Sequence, residues 1–159
     1  MADSATSIDR PLFSMSHFAA MGKRKPIPIL LGANNGDHLL IEPSPHMAEG
    51  WYSADIALRC GTWAGHCRAQ FAHGELSKFG RSIEELYRGE RFAASFKAAE
   101  QHLTLALMND GKDGKGLLRV TGAITPNEEP KVRIEFEFKV EPGRLSETIR
   151  GLQLADREV

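Results

Sequence analysis

Two cysteines in 159 residues cannot staple a fold. Their scarcity excludes the disulfide-rich secreted scaffolds, in which bridges replace a core. Long hydrophobic runs are also missing. The longest, residues 27–31, falls far short of the roughly 20 apolar residues a membrane-spanning helix needs. No charge of one sign dominates, since 20 Lys and Arg stand against 21 Asp and Glu. A dedicated binder of double-stranded nucleic acid carries a marked positive excess, so neither nucleic acid nor membrane is an expected partner. The first 20 residues hold Asp3, Asp9 and Arg10 and lack the basic start and apolar stretch of a secretory signal. A cytoplasmic protein is expected.

What is present is ordinary globular material, 42% hydrophobic and 26% charged, enough for one core in a chain of this length. Residues 1–25 show no hydrophobic period and end in a Gly-Lys-Arg-Lys break. They read as an N-terminal extension, partly disordered or laid over the surface, ahead of a single domain over residues 26–159.

Within that domain the period is mostly two. Ile29 and Leu31 suggest a strand. Asn34, Asn35 and Gly36 supply turn chemistry, and Leu39 and Ile41 a return strand stopped by Pro43 and Pro45. Tyr52, Ala54, Ile56, Leu58 and Cys60 share one face of the next strand. Trp63, Cys67, Ala69 and Phe71 share one face of the strand after Gly61, which makes the two a hairpin. Leu76, Phe79, Ile83, Leu86 and Tyr87 then fall at helical spacing, with Gly89 as the C-terminal stop. Gly80 inside this helix costs about 1 kcal/mol relative to alanine, which close packing of helix on sheet would offset. Strands resume at residues 92–96, at Leu103, Leu105 and Leu107, and at Leu118, Val120 and Ile124. A glycine-rich loop, residues 109–116, separates the last two. The clearest half-buried strand puts Val132, Ile134, Phe136, Phe138 and Val140 inward, and its apolar area suggests a central position in a sheet. Leu145, Ile149 and Leu152 form a last helix. The expected fold is α+β: a single antiparallel sheet of about six to eight strands with two helices packed on one face.

No catalytic constellation emerges. Cys60, His66, Cys67 and His73 are metal-ligand types without zinc spacing, since the cysteines lie six apart and His66 points away from Cys67 on a regular strand. The reading is two reduced thiols and surface histidines. A disulfide would need one particular hairpin register. The 110–116 loop has Thr121 where a calcium loop needs glutamate, and Gly116 precedes Leu117 where a phosphate loop needs lysine. The acid pairs Glu84-Glu85, Glu128-Glu129 and Glu135/Glu137 lie on polar faces or loops. No serine sits in a nucleophile elbow. The expectation is no enzyme, no metal and no cofactor.

One surface stands out. On the outer face of the expected sheet, Arg59, Arg68, Arg119, Lys131, Arg133 and Lys139 outnumber Asp55, Glu135 and Glu137. Such a face is either a solvated, edge-protecting surface with cross-strand ion pairs or a contact for an acidic partner.

The run Ala54-Asp55-Ile56-Ala57-Leu58-Arg59-Cys60-Gly61-Thr62-Trp63-Ala64-Gly65 resembles the strand, glycine, aromatic, glycine signature of the WapI-type immunity proteins. Glu75-Leu76-Ser77-Lys78-Phe79 and Ile83-Glu84-Glu85-Leu86-Tyr87 resemble that family's helix, and the later strands and terminal helix follow its order. The resemblance covers residues 39–152, and the N-terminal extension departs from the shorter family pattern. It implies a small bacterial protein that neutralises a toxin encoded beside it by binding, with no catalytic residues to carry over. Two readings follow. One is a non-catalytic intracellular binding protein with a protein partner. The other is a small-molecule-binding or enzymatic domain with a pocket between sheet and helix. The apolar inner positions favour the first.

Overall fold

The computed structural model describes residues 27–109, 111, 116–129 and 131–156. The expected N-terminal extension, and most of the loop at residues 110–116, lie outside the described residues. The elements run β1 (Ile29–Gly32), β2 (His38–Ala48), β3 (Trp51–Cys60), β4 (Trp63–Ala72), α1 (Glu75–Tyr87), β5 (Ala93–Lys97), β6 (Leu103–Met108), β7 (Leu118–Ile124), β8 (Ile134–Val140) and, after a short 3-10 turn, α2 (Leu145–Ala155).

The fold is α+β and every strand pairing is antiparallel, but the strands form two four-stranded sheets, β1-β2-β3-β4 and β5-β6-β7-β8. The expectation of one sheet is corrected. Each sheet is a run of sequential hairpins, and α1 stands between β4 and β5, so the ladder breaks where the helix intervenes. Alternation registers which face of a strand is buried. It does not register which strand lies beside it.

The helices also differ from the expected pair on one face. α1 and α2 pack on each other, with α1 against β5 and α2 against β1. Gly80 serves this seam and not a helix–sheet contact. A Cβ there would lie 3.0 Å from Leu152 Cβ of α2. One core cluster unites both sheets and both helices. An aromatic chain runs through it, with ring centroids 6.0 Å apart for Tyr52 and Phe71, 6.1 Å for Phe71 and Phe96, and 5.1 Å for Phe96 and Phe79.

Local chemistry explains the connections. In the β1–β2 turn the ring of His38 bonds the carbonyls of Ala33 and Gly36 at 3.0 and 2.8 Å. Asp37 Oδ1 accepts the Gly61 N–H at 2.8 Å, tying that turn to the tip of the β3–β4 hairpin. α1 starts at Gly74, which has no capping side chain. Asp156, beyond α2, accepts the Ser77 N–H at 3.1 Å in its place. Glu75 accepts two main-chain N–H groups, Ala72 at 2.8 Å and Ala99 at 2.7 Å, and so joins β4, α1 and the β5–β6 turn.

Three further expectations change. β2 does not stop at Pro43 but continues to Ala48, with a register shift between Pro43 and Met47 that absorbs the missing N–H. β8 begins at Ile134, leaving Val132 47% exposed. β8 is also the last strand of its sheet and not a central one. Phe136 and Phe138 are nonetheless buried in the core cluster shared by both sheets, and β8 lies close to β1 and β3, where Cys60 Sγ donates to the Glu137 carbonyl at 3.3 Å.

Candidate functional site

The six cations do not share one face. Arg59 and Arg68 belong to the first sheet, where Arg59 lies opposite Ala64 and Arg68 opposite Asp55. Arg119 and Lys139 are register partners on the second sheet. Lys131 and Arg133 lie on the chain leading into β8, both exposed. The positive lean matches the sequence count, because Lys97 on the outer face of the second sheet offsets Glu42 on that of the first. Glu42 joins the outer face of the first sheet beside Asp55, in one row with Arg68. Arg68 pairs with Asp55 at 3.2 Å, and Arg133 with Glu135 at 3.1 Å.

Arg119 departs from expectation in its environment. It is half-buried, with its guanidinium 3.9 Å from Met108 Sδ. The other five cations are exposed. Around Arg119 the middle of the outer face of the second sheet carries small side chains, with charged ones toward its edges. The rows Ser95–Ala106–Thr121–Glu137 and Lys97–Thr104–Ala123–Glu135 cross it from edge to edge.

The thiols stand apart. Cys60 lies opposite Trp63 and Cys67 opposite Ile56, so the register keeps them from bridging, and both are free. Burial raises the Cys67 pKa, helped by the negative charges of Glu128 and Asp55, which makes this thiol a poor nucleophile. Among the described residues no group of three or more His, Cys, Asp and Glu side chains is placed to hold a metal ion. Also among them, no helix is long and apolar enough to cross a membrane.

One buried polar node was not legible in the sequence. The Tyr52 hydroxyl and Asp156 Oδ1 are buried and interact with each other without a well-formed hydrogen bond. Burial pushes the Tyr52 phenol well above its ordinary pKa, and the charge of Asp156 adds to this. The alternation of β3 announces that Tyr52 is buried. Its neighbour more than 100 positions later is set by the α1–α2 seam, which no local pattern encodes.

A pocket between sheet and helix would have to lie at the α1–β5 or the α2–β1 contact. The first holds a hollow of about 250 Å3 edged by Glu75, Lys78, Ser82 and Lys97. The second holds one of about 490 Å3 with Arg144, Glu147 and Arg150 on its rim. Both mix charged groups with apolar ones, Phe79 and Phe96 in the first and Ile27, Pro28 and Leu30 in the second, so neither is the mainly apolar cleft with a few convergent polar groups that ligand sites favour.

The fold and its surfaces thus define a small two-sheet α+β domain with charged outer faces and a core filled by its own side chains. The chain belongs to the Immunity protein WapI-like family, whose model matches residues 33–155. No curated protein matches it.

Proposed function

We propose that this chain is a non-catalytic, cytoplasmic binding protein that neutralises a toxin by stoichiometric association. The observation that carries this reading is the family match over residues 33–155. The surfaces are compatible with it. Five exposed cations, Arg59, Arg68, Lys131, Arg133 and Lys139, stand on or beside the outer faces of the two sheets. Charged rims of this kind chiefly speed encounter and select partners.

The test is co-expression and pull-down against the protein encoded beside this chain's gene. A one-to-one complex that abolishes toxicity is the expected result. Two charge-reversed variants then locate the contact: Arg59→Glu with Arg68→Glu on the first sheet, and Lys131→Glu with Arg133→Glu on the second. One pair should slow association at low salt by about tenfold, the lower range of electrostatic steering. Unchanged association in both would remove the cations from the contact. A toxin inactivated catalytically, with substoichiometric amounts of this chain sufficing, would end the binding reading.

A further inference from the structure

Among the described residues, three of the four edge strands have other elements of the chain packed beside them. α2 lies along β1, where Thr148 Oγ1 donates to the Leu30 carbonyl and Gly151 lets the helix backbone approach Ile29. α1 lies along β5. Beside β8, Cys60 Sγ donates to the Glu137 carbonyl.

The fourth edge belongs to β4, which spans 10 residues. The turn between β3 and β4 has two residues, Gly61 and Thr62, so Cys60 and Trp63 form a hydrogen-bonded pair. Alternation then directs the N–H and C=O groups of Ala64, His66, Arg68 and Gln70 away from β3. Ala72 has the same parity, and its outward N–H is taken by Glu75. The other four residues are exposed. Among the described residues, no main-chain bond from outside the ladder reaches them.

An open edge of this length invites pairing, and proteins usually blunt it with proline, lysine, a bulge or a cover. β4 contains no proline or lysine, and its register with β3 is unbroken. Its side chains specify what would fit. The outer side offers His66, Arg68 and Gln70, and β4 carries no carboxylate. The inner side loses cover toward the hairpin tip. Phe71 and Ala69 are buried, Cys67 and Gly65 half-buried, and Trp63 is 42% exposed. The Trp63 indole lies over Gly65, where a Cβ would fall 2.5 Å from the ring. Asp37 holds the adjoining Gly61 in place. Edge and aromatic together form a preorganised surface.

We propose that the protein partner docks on the exposed edge of β4, adding an extended segment of its own chain to the first sheet as a fifth strand. This rests on the neutralising reading and specifies its contact. The inserted segment carries acidic side chains on the side of His66 and Arg68, and small or apolar ones on the side of Gly65 and Trp63.

The experiment is amide hydrogen exchange on the full chain, alone and with the protein encoded beside its gene, together with affinities for two variants. In the complex, exchange at Ala64, His66, Arg68 and Gln70 should slow at least tenfold. His66→Pro removes one outward donor at a position where an edge strand tolerates proline. It should weaken binding by about tenfold, the loss of one hydrogen bond, while His66→Ala, which keeps the N–H, should bind like the unsubstituted chain. A complex that leaves the four amides unprotected overturns the edge proposal and leaves the neutralising reading standing. Absence of any complex overturns both. Protection that grows with the concentration of this chain alone assigns the edge to a second copy and overturns the proposal. If His66→Pro does not fold, exchange in the unsubstituted chain decides.

Discussion

Gly122→Ala should destabilise the protein although it replaces a poor strand former with a better one. Gly122 lies in β7, opposite Leu105 of β6 and Phe136 of β8. A Cβ there would meet Phe136 Cζ at 2.5 Å, the Thr104 carbonyl oxygen at 2.6 Å and Leu105 Cδ2 at 2.9 Å. In an open strand the exchange gains some fraction of the roughly 1 kcal/mol range of strand propensities. Here the side chains can give way, but the carbonyl oxygen belongs to the sheet itself, so β6 and β7 must shift. Overpacking of this kind costs ~1–3 kcal/mol, and a backbone obstacle places the cost at the upper end. Phe136→Ala alone should cost ~3–5 kcal/mol as a large-to-small core change. In the double variant the ring collision is gone but the carbonyl collision remains. Gly122→Ala should therefore cost about 1 kcal/mol less in the Phe136→Ala background, a coupling of the size neighbouring residues show. Urea unfolding with a constant m-value measures all three. A Gly122→Ala protein as stable as the parent, or strict additivity in the double variant, would refute the packing described for this strand pair.

Two other outcomes test the core and the seam. Gly80→Ala should lower stability by about 1 kcal/mol, since the contact at 3.0 Å to Leu152 Cβ outweighs the gain in helix propensity; a rise in stability on thermal unfolding would place the seam further apart. Tyr52→Phe should cost no more than about 1 kcal/mol at pH 7, because the buried hydroxyl it removes has only a poorly formed interaction with Asp156. The sign of its pH effect follows from linkage. The folded pKa of Tyr52 is raised, so its contribution is fully present below the unfolded value of about 10 and is lost as pH rises above it. Unfolding curves should therefore show alkaline destabilisation that is smaller in Tyr52→Phe, and identical slopes in the two proteins would contradict the burial of the phenol.

Side-chain faces were legible in the sequence, and neighbours were not. Tyr52, Ala54, Ile56 and Leu58 are buried on β3 as alternation requires, and Leu76, Phe79, Ile83 and Leu86 are buried on α1 as helical spacing requires. Each follows from a period of two or 3.6 acting within one element. The break between β4 and β5, the edge position of β8 and the α1–α2 seam at Gly80 depend on partners distant in the chain. The outer charge was incompletely read for a related reason. Glu42 and Lys97 were left out of the count, because the places of Glu42 beside Asp55 and of Lys97 beside Thr104 exist only in the strand registers. The half-burial of Arg119 follows from its lying across from Met108, again a matter of register.

These differences separate the six cations into groups of unequal freedom. The partners in Arg68–Asp55 are 68% and 63% exposed, and those in Arg133–Glu135 are 60% and 73% exposed. Exposed pairs of this kind stabilise a fold by only ~0–1 kcal/mol. An incoming carboxylate can therefore replace Asp55 or Glu135 at small cost to the fold. Arg119 is different. It is half-buried with its guanidinium against Met108, and reversing its charge would disturb that contact as well as any docking. A loss of binding in Arg119→Glu would thus leave surface and stability effects entangled. Arg68 is the more informative position. Its side chain rests in a weak, exchangeable ion pair, while its main chain lies on the open edge of β4. Arg68→Ala should weaken association with little change in unfolding midpoint, and a variant that lost stability without losing affinity would assign Arg68 to the fold alone.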